Sequence, residues 1–186
     1  MNIGILIYDG VDDLDFVGPQ EVFSIANVIC EKDDEIFRVA RSKEVTCGSG
    51  TRIIPEYDYD SCPMPDCLVV PGGPGSRQER YVESTQRLIK QSPGYILSVC
   101  TGSLILAECG LLDGKKATTH HLSFDELRKH PLVEVVEGAR YVKEDRIICS
   151  AGIVSGIDAA LYLLEILNPG SSGKVAKILE YEPSLE

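Results

Sequence analysis

The distribution of apolar residues along the chain predicts strands that alternate with helices. Ile3 to Tyr8 and Cys67 to Val70 form short, continuously apolar runs, a pattern typical of parallel strands that are covered on both faces. A run of strand-forming residues, Tyr95 to Val99, leads directly into Cys100. Segments with helical spacing of apolar residues separate these runs. The alternation predicts an α/β fold, specifically a three-layer sandwich around a mostly parallel sheet.

Proline and glycine residues mark the ends of several predicted elements. Pro19 suits the first turn of a helix, and Gly110 suits the end of the helix that follows Cys100. Helices are predicted over residues 19–27, 78–91, 103–109, 157–167 and 172–181, with a short helix after the capping-box pattern at 123–126. Further short strands are predicted over residues 36–41, 44–47, 51–54, 133–136, 140–143 and 147–149, and a glycine turn joins 44–47 to 51–54.

Length and charge restrict the classes of protein to which this chain could belong. Its 186 residues predict a single domain over 1–186, large enough to bury a core. A net charge of −11 argues against a nucleic-acid or anionic-membrane partner, because phosphate binding requires a basic face. Met1 to Tyr8 has no basic flank and is typical of a first strand rather than a signal peptide. No apolar run is long enough to cross a bilayer.

The seven cysteines indicate a reducing compartment. Their number is odd, and the sequence contains neither a C-x-x-C pair nor another spacing typical of zinc ligands. We therefore predict a cytoplasmic protein with mostly unreactive thiols and no metal site. A disulfide between Cys62 and Cys67 is the less favoured alternative, because such bonds are rare in reducing compartments.

One cysteine lies at a junction with the form of a nucleophile elbow. In Ser98-Val99-Cys100-Thr101-Gly102, small residues stand two positions before and two positions after the cysteine, between a strand-forming and a helix-forming run. A helix N-terminus next to Cys100 should lower the pKa of its thiol. The alternative is a buried cysteine that acts only as a small hydrophobic side chain. The strand–turn–helix context favours a reactive thiol.

A glycine-rich loop, Pro71 to Gly75, follows another buried strand. Glycines at such a position leave backbone N–H groups free. A phosphate-binding loop would require Gly-Lys-Ser/Thr, which is absent. The amides of Gly72 and Gly73 could instead form an oxyanion hole for the Cys100 site. A plain turn is the alternative.

A thiol nucleophile needs a group that exchanges protons with it, and the sequence offers acids and histidines. Four acids lie where the first strand gives way to the first helix: Asp12, Asp13, Asp15 and Glu21. Only one or two of them are expected to be functional, because acids are also common near helix N-termini. His120 and His121 are adjacent on an extended segment, so at most one should face the site. Residue patterns leave the choice between an acid and a histidine open.

Six short motifs occur in a fixed order along nearly the whole chain. They are Gly10-x-x-x-x-Asp15-x-x-Gly18-Pro19-x-Glu21-Val22-Phe23, Val70-Pro71-Gly72-Gly73, Ser98-Val99-Cys100-Thr101-Gly102, Ala117-Thr118-Thr119-His120, Ala151-Gly152-Ile153-x-x-Gly156-Ile157-Asp158 and Leu179-Glu180-Tyr181. Together they resemble the ThiJ/PfpI superfamily. Within it, the chain looks most like the isonitrile hydratase branch and the amidotransferase-like domains of AraC-type regulators, although those regulators continue into a helix-turn-helix module that is not expected in the sequence to Glu186.

The resemblance implies a flavodoxin-like sandwich that forms a homodimer and uses Cys100 as its nucleophile. It favours Asp15 over Glu21 as the acid beside the thiol. Thr101 matches the threonine that follows the nucleophile, whereas the protease-like branch has histidine there. His120 matches a Thr-Thr-His segment near the site whose role varies between branches.

The resemblance also implies a reaction, the hydration of a small isonitrile to an N-formamide, with no metal or organic cofactor. Cys100 would attack the terminal carbon and Asp15 would supply the proton. The amides of Gly72, Gly73 and Thr101, with the Thr101 hydroxyl, would hold the polar intermediate. One alternative is glutathione-independent hydration of methylglyoxal, which typically uses the histidine and a glutamate. Another is a non-catalytic sensor in which the thiol is oxidised.

Overall fold

A six-stranded mixed sheet forms the centre of the computed structural model, which describes residues 1–184. The strands of the molecule are β1 (Asn2–Leu6), β2 (Glu35–Val39), β3 (Val45–Thr46), β4 (Arg52–Ile53), β5 (Cys67–Val70), β6 (Tyr95–Ser98), β7 (Lys116–Ala117), β8 (Glu134–Val135), β9 (Tyr141–Glu144) and β10 (Ile147–Ser150). The central sheet has the order β2-β1-β5-β6-β10-β9. All neighbouring pairs are parallel except β10 and β9, as the apolar runs predict. The last two positions of the predicted domain lie outside the described residues.

Helices cover both faces of this sheet. They are α1 (Asp13–Ile29), α2 (Ser76–Glu79), α3 (Glu83–Gln91), α4 (Gly102–Glu108), α5 (Phe124–Leu127), α6 (Ser155–Leu167) and α7 (Ser172–Ile178). α1, α6 and α7 pack against one another on one face, while α4 packs on β5 and β6 together with α2 and α5. The connection from β1 to β2 runs in one direction across the sheet, whereas those from β5 to β6 and from β6 to β10 run in the other. Because such connections between parallel strands are right-handed, the helix after β1 and the helices after β5 and β6 lie on opposite faces. The three-layer α/β sandwich is thereby confirmed.

The hairpin and the free cysteines agree with the sequence predictions, whereas the pairing of β7 with β8 was not predicted. β3 and β4 form the predicted antiparallel hairpin, and β7 pairs in parallel with β8. All seven cysteines are free thiols, including Cys62 and Cys67. No helix within residues 1–184 combines the length and apolar character that a bilayer crossing requires.

The predicted start of the first helix was wrong. α1 begins at Asp13, so Pro19 lies inside the helix rather than in its first turn. Pro19 has no N–H to donate along the helix, but the helix tolerates this because its apolar face is held by tertiary packing. Gly18 allows close contact with α6, since a Cβ at this position would lie 3.1 Å from Ile157 Cγ1. The early start places Asp15 in the first turn of α1.

The helix predicted over residues 78–91 is divided into two. α2 ends at Glu79 and α3 begins at Glu83, and the Gln86 side chain donates to the Arg80 carbonyl across the break at 2.7 Å. The buried Glu79 carboxylate accepts a hydrogen bond from Thr85. This inward-facing acid, which the helical pattern did not predict, closes the turn. The helix predicted after residue 123 covers only Phe124–Leu127, and the Ser123 side chain does not cap it.

Candidate active site

Cys100 occupies a strained turn at the carboxyl edge of the sheet, between β6 and α4. Its φ of 55° is in the left-handed region, which side chains other than glycine rarely adopt. The turn is fixed by backbone bonds, because Cys100 N–H donates to the Ala151 carbonyl at 3.0 Å. The Thr119 hydroxyl also donates to the Cys100 carbonyl at 3.0 Å. This is the geometry of the predicted nucleophile elbow.

Asp15, and not Glu21, lies beside the thiol. Asp15 is fully buried in the first turn of α1, and one of its carboxylate oxygens, an Asp12 oxygen and Cys100 Sγ lie within 4.8 Å of one another. Asp15 Oδ2 accepts the Gly72 N–H at 3.0 Å, while Oδ1 has no N–H or O–H donor among residues 1–184. Glu21 is exposed on the outer side of α1. The same three side chains could reach a single metal ion.

The thiol and the carboxyl group both hold their protons more tightly than usual. Burial raises the pKa of Cys100 to about 12, and the negative charge of Asp15 adds to the shift. Burial, followed by the charge of Asp12, raises the pKa of Asp15 to about 7, although hydrogen bonds from Gly72 and Cys100 oppose the change. The expectation that the helix N-terminus lowers the pKa of the thiol was therefore wrong. Desolvation and a neighbouring acid outweigh the backbone N–H groups.

The oxyanion hole predicted from Gly72 and Gly73 is not available, because both amides have internal partners. Gly72 N–H donates to Asp15, and Gly73 N–H donates to Thr101 Oγ1 at 3.0 Å. The glycine loop instead positions Asp15 and forms a hydrogen bond to Thr101 in the elbow. A Cβ at Gly72 would lie only 2.5 Å from Thr101 N and 3.0 Å from Asp15 Oδ2. Glycine is required here by this close approach.

Thr101 contributes its backbone rather than its hydroxyl. Its Oγ1 accepts from the Ser76 hydroxyl at 2.8 Å and is paired with Gly73, so it does not point at a bound substrate as expected. The N–H groups of Thr101 and Ile153 form hydrogen bonds to Cys100 that lower the pKa of the thiol. Ile153 was not predicted as a site residue. It has a φ of 39° and lies between β10 and α6, in a small-residue turn that gave only a weak sequence signal.

The two histidines differ in position. His120 lines the pocket above Cys100, whereas His121 is exposed and stacks on it with ring centroids 4.4 Å apart. Burial and the neighbouring His121 lower the pKa of His120, while Asp12 raises it. His120 Nδ1 accepts the Leu122 N–H at 3.3 Å. His120 is therefore an uncharged side chain in the lining of the pocket at pH 7.

The pocket above Cys100 has a volume of about 200 Å³. Cys100 is only 5% exposed and lies at its base, with Asp12 and His120 nearby. The pocket can admit a small molecule with one reactive end directed at the sulfur. A buried thiol, a buried acid and two backbone N–H groups can together perform nucleophilic addition with proton transfer.

Comparisons with known proteins show which family the chain resembles. A profile of the DJ-1/PfpI family matches residues 1–166. The chain is 33% identical over 189 positions to the isonitrile hydratase of Pseudomonas putida, covering 99% of this chain and 80% of that one. It is 31% identical over 64% of its length to the HTH-type transcriptional regulator GbdR of Pseudomonas aeruginosa, of which the match spans 34%.

Solved structures share the fold. A ThiJ/PfpI family protein from Pseudomonas syringae superposes with a TM-score of 0.87 at 31% identity, covering 98% of this chain and 76% of that one. Schizosaccharomyces pombe DJ-1 superposes with a TM-score of 0.85 at 21% identity, covering 98% and 100%. The flavodoxin-like architecture is thereby confirmed. The chain belongs to the DJ-1/PfpI family.

Proposed function

We propose that this protein is a cysteine-dependent hydratase that converts isonitriles to N-formamides without a metal ion or an organic cofactor. The observation that carries the proposal is the buried pair of Cys100 and Asp15, whose reactive atoms lie within 4.8 Å. Similarity to the Pseudomonas putida isonitrile hydratase along 99% of the chain supports it. Addition of water to R–N≡C requires no external oxidant or reductant. A nucleophile and a proton-transferring acid are therefore sufficient.

In the first step, Cys100 Sγ forms a bond to the terminal carbon of R–N≡C. The Asp15 carboxylate accepts the thiol proton during attack and then delivers a proton to the same carbon. The product is the thioimidate R–N=CH–S–Cys100. The N–H groups of Thr101 and Ile153 stabilise negative charge on the sulfur as the thiol ionises.

In the second step, water adds to the thioimidate carbon. Asp15, again a carboxylate, accepts a proton from the water and passes it to the imine nitrogen. The C–S bond then breaks as the new hydroxyl proton passes to sulfur, which releases R–NH–CHO and restores the Cys100 thiol. One acid thus acts in both directions, and its raised pKa of about 7 suits it to exchange protons near neutral pH.

Methylglyoxal hydration is the second candidate, and the position of His120 favours it. His120 shares the pocket with Cys100, which is the placement that a thiol–histidine reaction on an α-oxoaldehyde would use. A sensor based on thiol oxidation is less well supported. Burial raises the pKa of Cys100, and thiolate rather than thiol reacts with oxidants.

The test is incubation of the purified protein with a neutral alkyl isonitrile while the formamide is quantified. We expect turnover by the wild-type protein and none above background by the Cys100→Ala variant. Parallel assays with methylglyoxal, without glutathione, follow lactate. Lactate formation without formamide formation would replace the proposal with the second candidate. Absence of both products would contradict both activities.

A further inference from the structure

Arg77 is a cationic side chain on the wall of the pocket that contains Cys100. It belongs to α2, which follows the glycine loop, and its side chain is 49% exposed. It lines the pocket together with Asp12 and Cys100. The mechanism proposed above assigns it no role.

The charge of Arg77 is only partly compensated. Its Nε lies 3.2 Å from Glu126 Oε2, while Arg80 Nη1 lies 2.9 Å from Glu126 Oε1. Two guanidinium groups therefore share one carboxylate. Within residues 1–184 the Nη groups of Arg77 have no hydrogen-bond partner. They remain available to a ligand, and a guanidinium matches the geometry of a carboxylate.

Charge is distributed unevenly along the pocket. Asp12 and Cys100 line the pocket, and the fully buried Asp15 lies beside them, with one oxygen of each acid and the Cys100 sulfur within 4.8 Å of one another. Arg77 provides the positive charge, and the apolar side chains of Leu122 and Ile153 also line the pocket. An anionic group would be repelled from the base and attracted to Arg77, whereas a neutral reactive group can approach the sulfur.

We propose that Arg77 selects substrates in which a short apolar chain joins a neutral isonitrile to a carboxylate. This inference rests on the proposed hydratase function and adds the class of the substrate to it. The isonitrile carbon meets Cys100, the chain contacts Leu122 and Ile153, and the carboxylate binds the Nη groups of Arg77. The pocket volume of about 200 Å³ accommodates a molecule of this length.

The first experiment compares kcat/KM for isocyanoacetate and for its methyl ester, which is nearly the same size but neutral. We expect the wild-type protein to prefer the acid, and the acid-to-ester ratio to fall about tenfold in Arg77→Gln, since a charge-assisted hydrogen bond is removed. Arg80→Lys is the matched control. Arg80 also pairs with Glu126 but does not line the pocket, so this variant should keep the acid-to-ester ratio within about twofold of the wild-type value. Glu126→Gln should raise the acid-to-ester ratio, because the Glu126 carboxylate no longer competes with the substrate carboxylate for Arg77.

A second experiment does not depend on hydratase activity. Cys100 is alkylated with iodoacetate or iodoacetamide, which differ in charge but little in size, and the modified Cys100 peptide is quantified by mass spectrometry. We expect Arg77→Gln to lower the iodoacetate-to-iodoacetamide rate ratio about tenfold, with Arg80→Lys close to wild type. The comparison is made between variants because Asp12 and Asp15 disfavour iodoacetate in all of them.

The two failures can be distinguished. Absence of formamide from both isocyanoacetates, with an Arg77-dependent alkylation ratio, would overturn the hydratase function but retain an anion-selective pocket. Formamide formation with ratios that Arg77→Gln leaves unchanged in both experiments would overturn the role of Arg77 and retain the hydratase. If Arg80→Lys lowered the two ratios as much as Arg77→Gln does, the effect would come from disturbing the ion pairs of Glu126 rather than from Arg77 itself. This result would also contradict the proposal.

Discussion

At the scale of single residues, the proposed reaction depends on proton transfer between two buried groups, Cys100 and Asp15. Burial raises the pKa of Cys100 to about 12 and that of Asp15 to about 7. A free thiolate is therefore rare near neutral pH, so the proposed reaction couples attack by the sulfur to proton transfer onto Asp15. The strained φ of Cys100 and the N–H groups of Thr101 and Ile153 prepare the sulfur for this event.

Asp15→Asn should lower kcat/KM at least about 100-fold, because the substituted amide cannot transfer the proton. In the wild-type protein, kcat/KM should rise with pH through about 7, since Asp15 must lose its proton before it can accept that of Cys100. The variant should lose this rise. The measurement is a pH profile of formamide formation between about pH 5 and 9.

Glu21→Gln is the matched control for this prediction, because Glu21 is exposed on the same helix and does not line the pocket. Its activity and pH profile should equal those of the wild type. A comparable loss in both variants, or a wild-type profile that is flat around pH 7, would show that Asp15 does not exchange the proton.

The sequence identified some of these residues and missed others for a physical reason. Cys100 was found because the elbow is a local pattern of small residues between a strand and a helix. Residue patterns could not separate Asp15 from Glu21, since that choice depends on where α1 starts. Six residues along a helix correspond to a rotation of about 240°, so the two acids face different sides. Ile153 was missed because its contact with Cys100 spans 53 positions of the chain.

At the scale of elements, the site is formed where loops after β1, β5, β6 and β10 converge. The alternating apolar runs predicted these strands well, because a buried parallel strand has a strong local signature. They could not predict that the Gly72 and Gly73 amides are already occupied, since their partners come from α1 and from the elbow. The glycine loop thus acts as a spacer that holds the acid and the elbow at a fixed separation.

Gly72→Ala should reduce kcat/KM at least about tenfold, because the added methyl group would lie 2.5 Å from Thr101 N and displace either the elbow or Asp15. The measurement is steady-state formamide formation, accompanied by circular dichroism to verify folding. Gly173→Ala in α7 is the control, since a Cβ there has no atom within 4 Å. Full activity of Gly72→Ala would show that the loop can move away without affecting the chemistry.

At the scale of the whole molecule, a network around the buried carboxylate of Asp158 connects the C-terminal segment to the active-site side of the fold. Asp158 in α6 is fully buried and pairs with Arg140. The Tyr181 hydroxyl and the Ser184 N–H both donate to Asp158 Oδ1 at 3.0 Å. The Arg140 carbonyl accepts the Ala151 N–H at 2.8 Å, and the Ala151 carbonyl in turn accepts the Cys100 N–H. The resemblance had pointed to Asp158 and Tyr181 without a reason, and this network supplies one.

Tyr181→Phe should therefore lower the free energy of unfolding by about 1 kcal/mol, the usual contribution of one hydrogen bond, because Asp158 loses a donor that the phenyl ring cannot replace. Urea denaturation at pH 7 measures the change. Tyr162→Phe is the control, since the Tyr162 hydroxyl forms no hydrogen bond within residues 1–184 although its ring packs on Tyr141. Equal stabilities of the two variants would mean that the C-terminal segment is held by apolar packing alone. A loss of stability in Tyr181→Phe but not in Tyr162→Phe would show that the hydrogen bond to Asp158 stabilises the fold. The same network includes Arg140, whose carbonyl holds the turn that contacts Cys100.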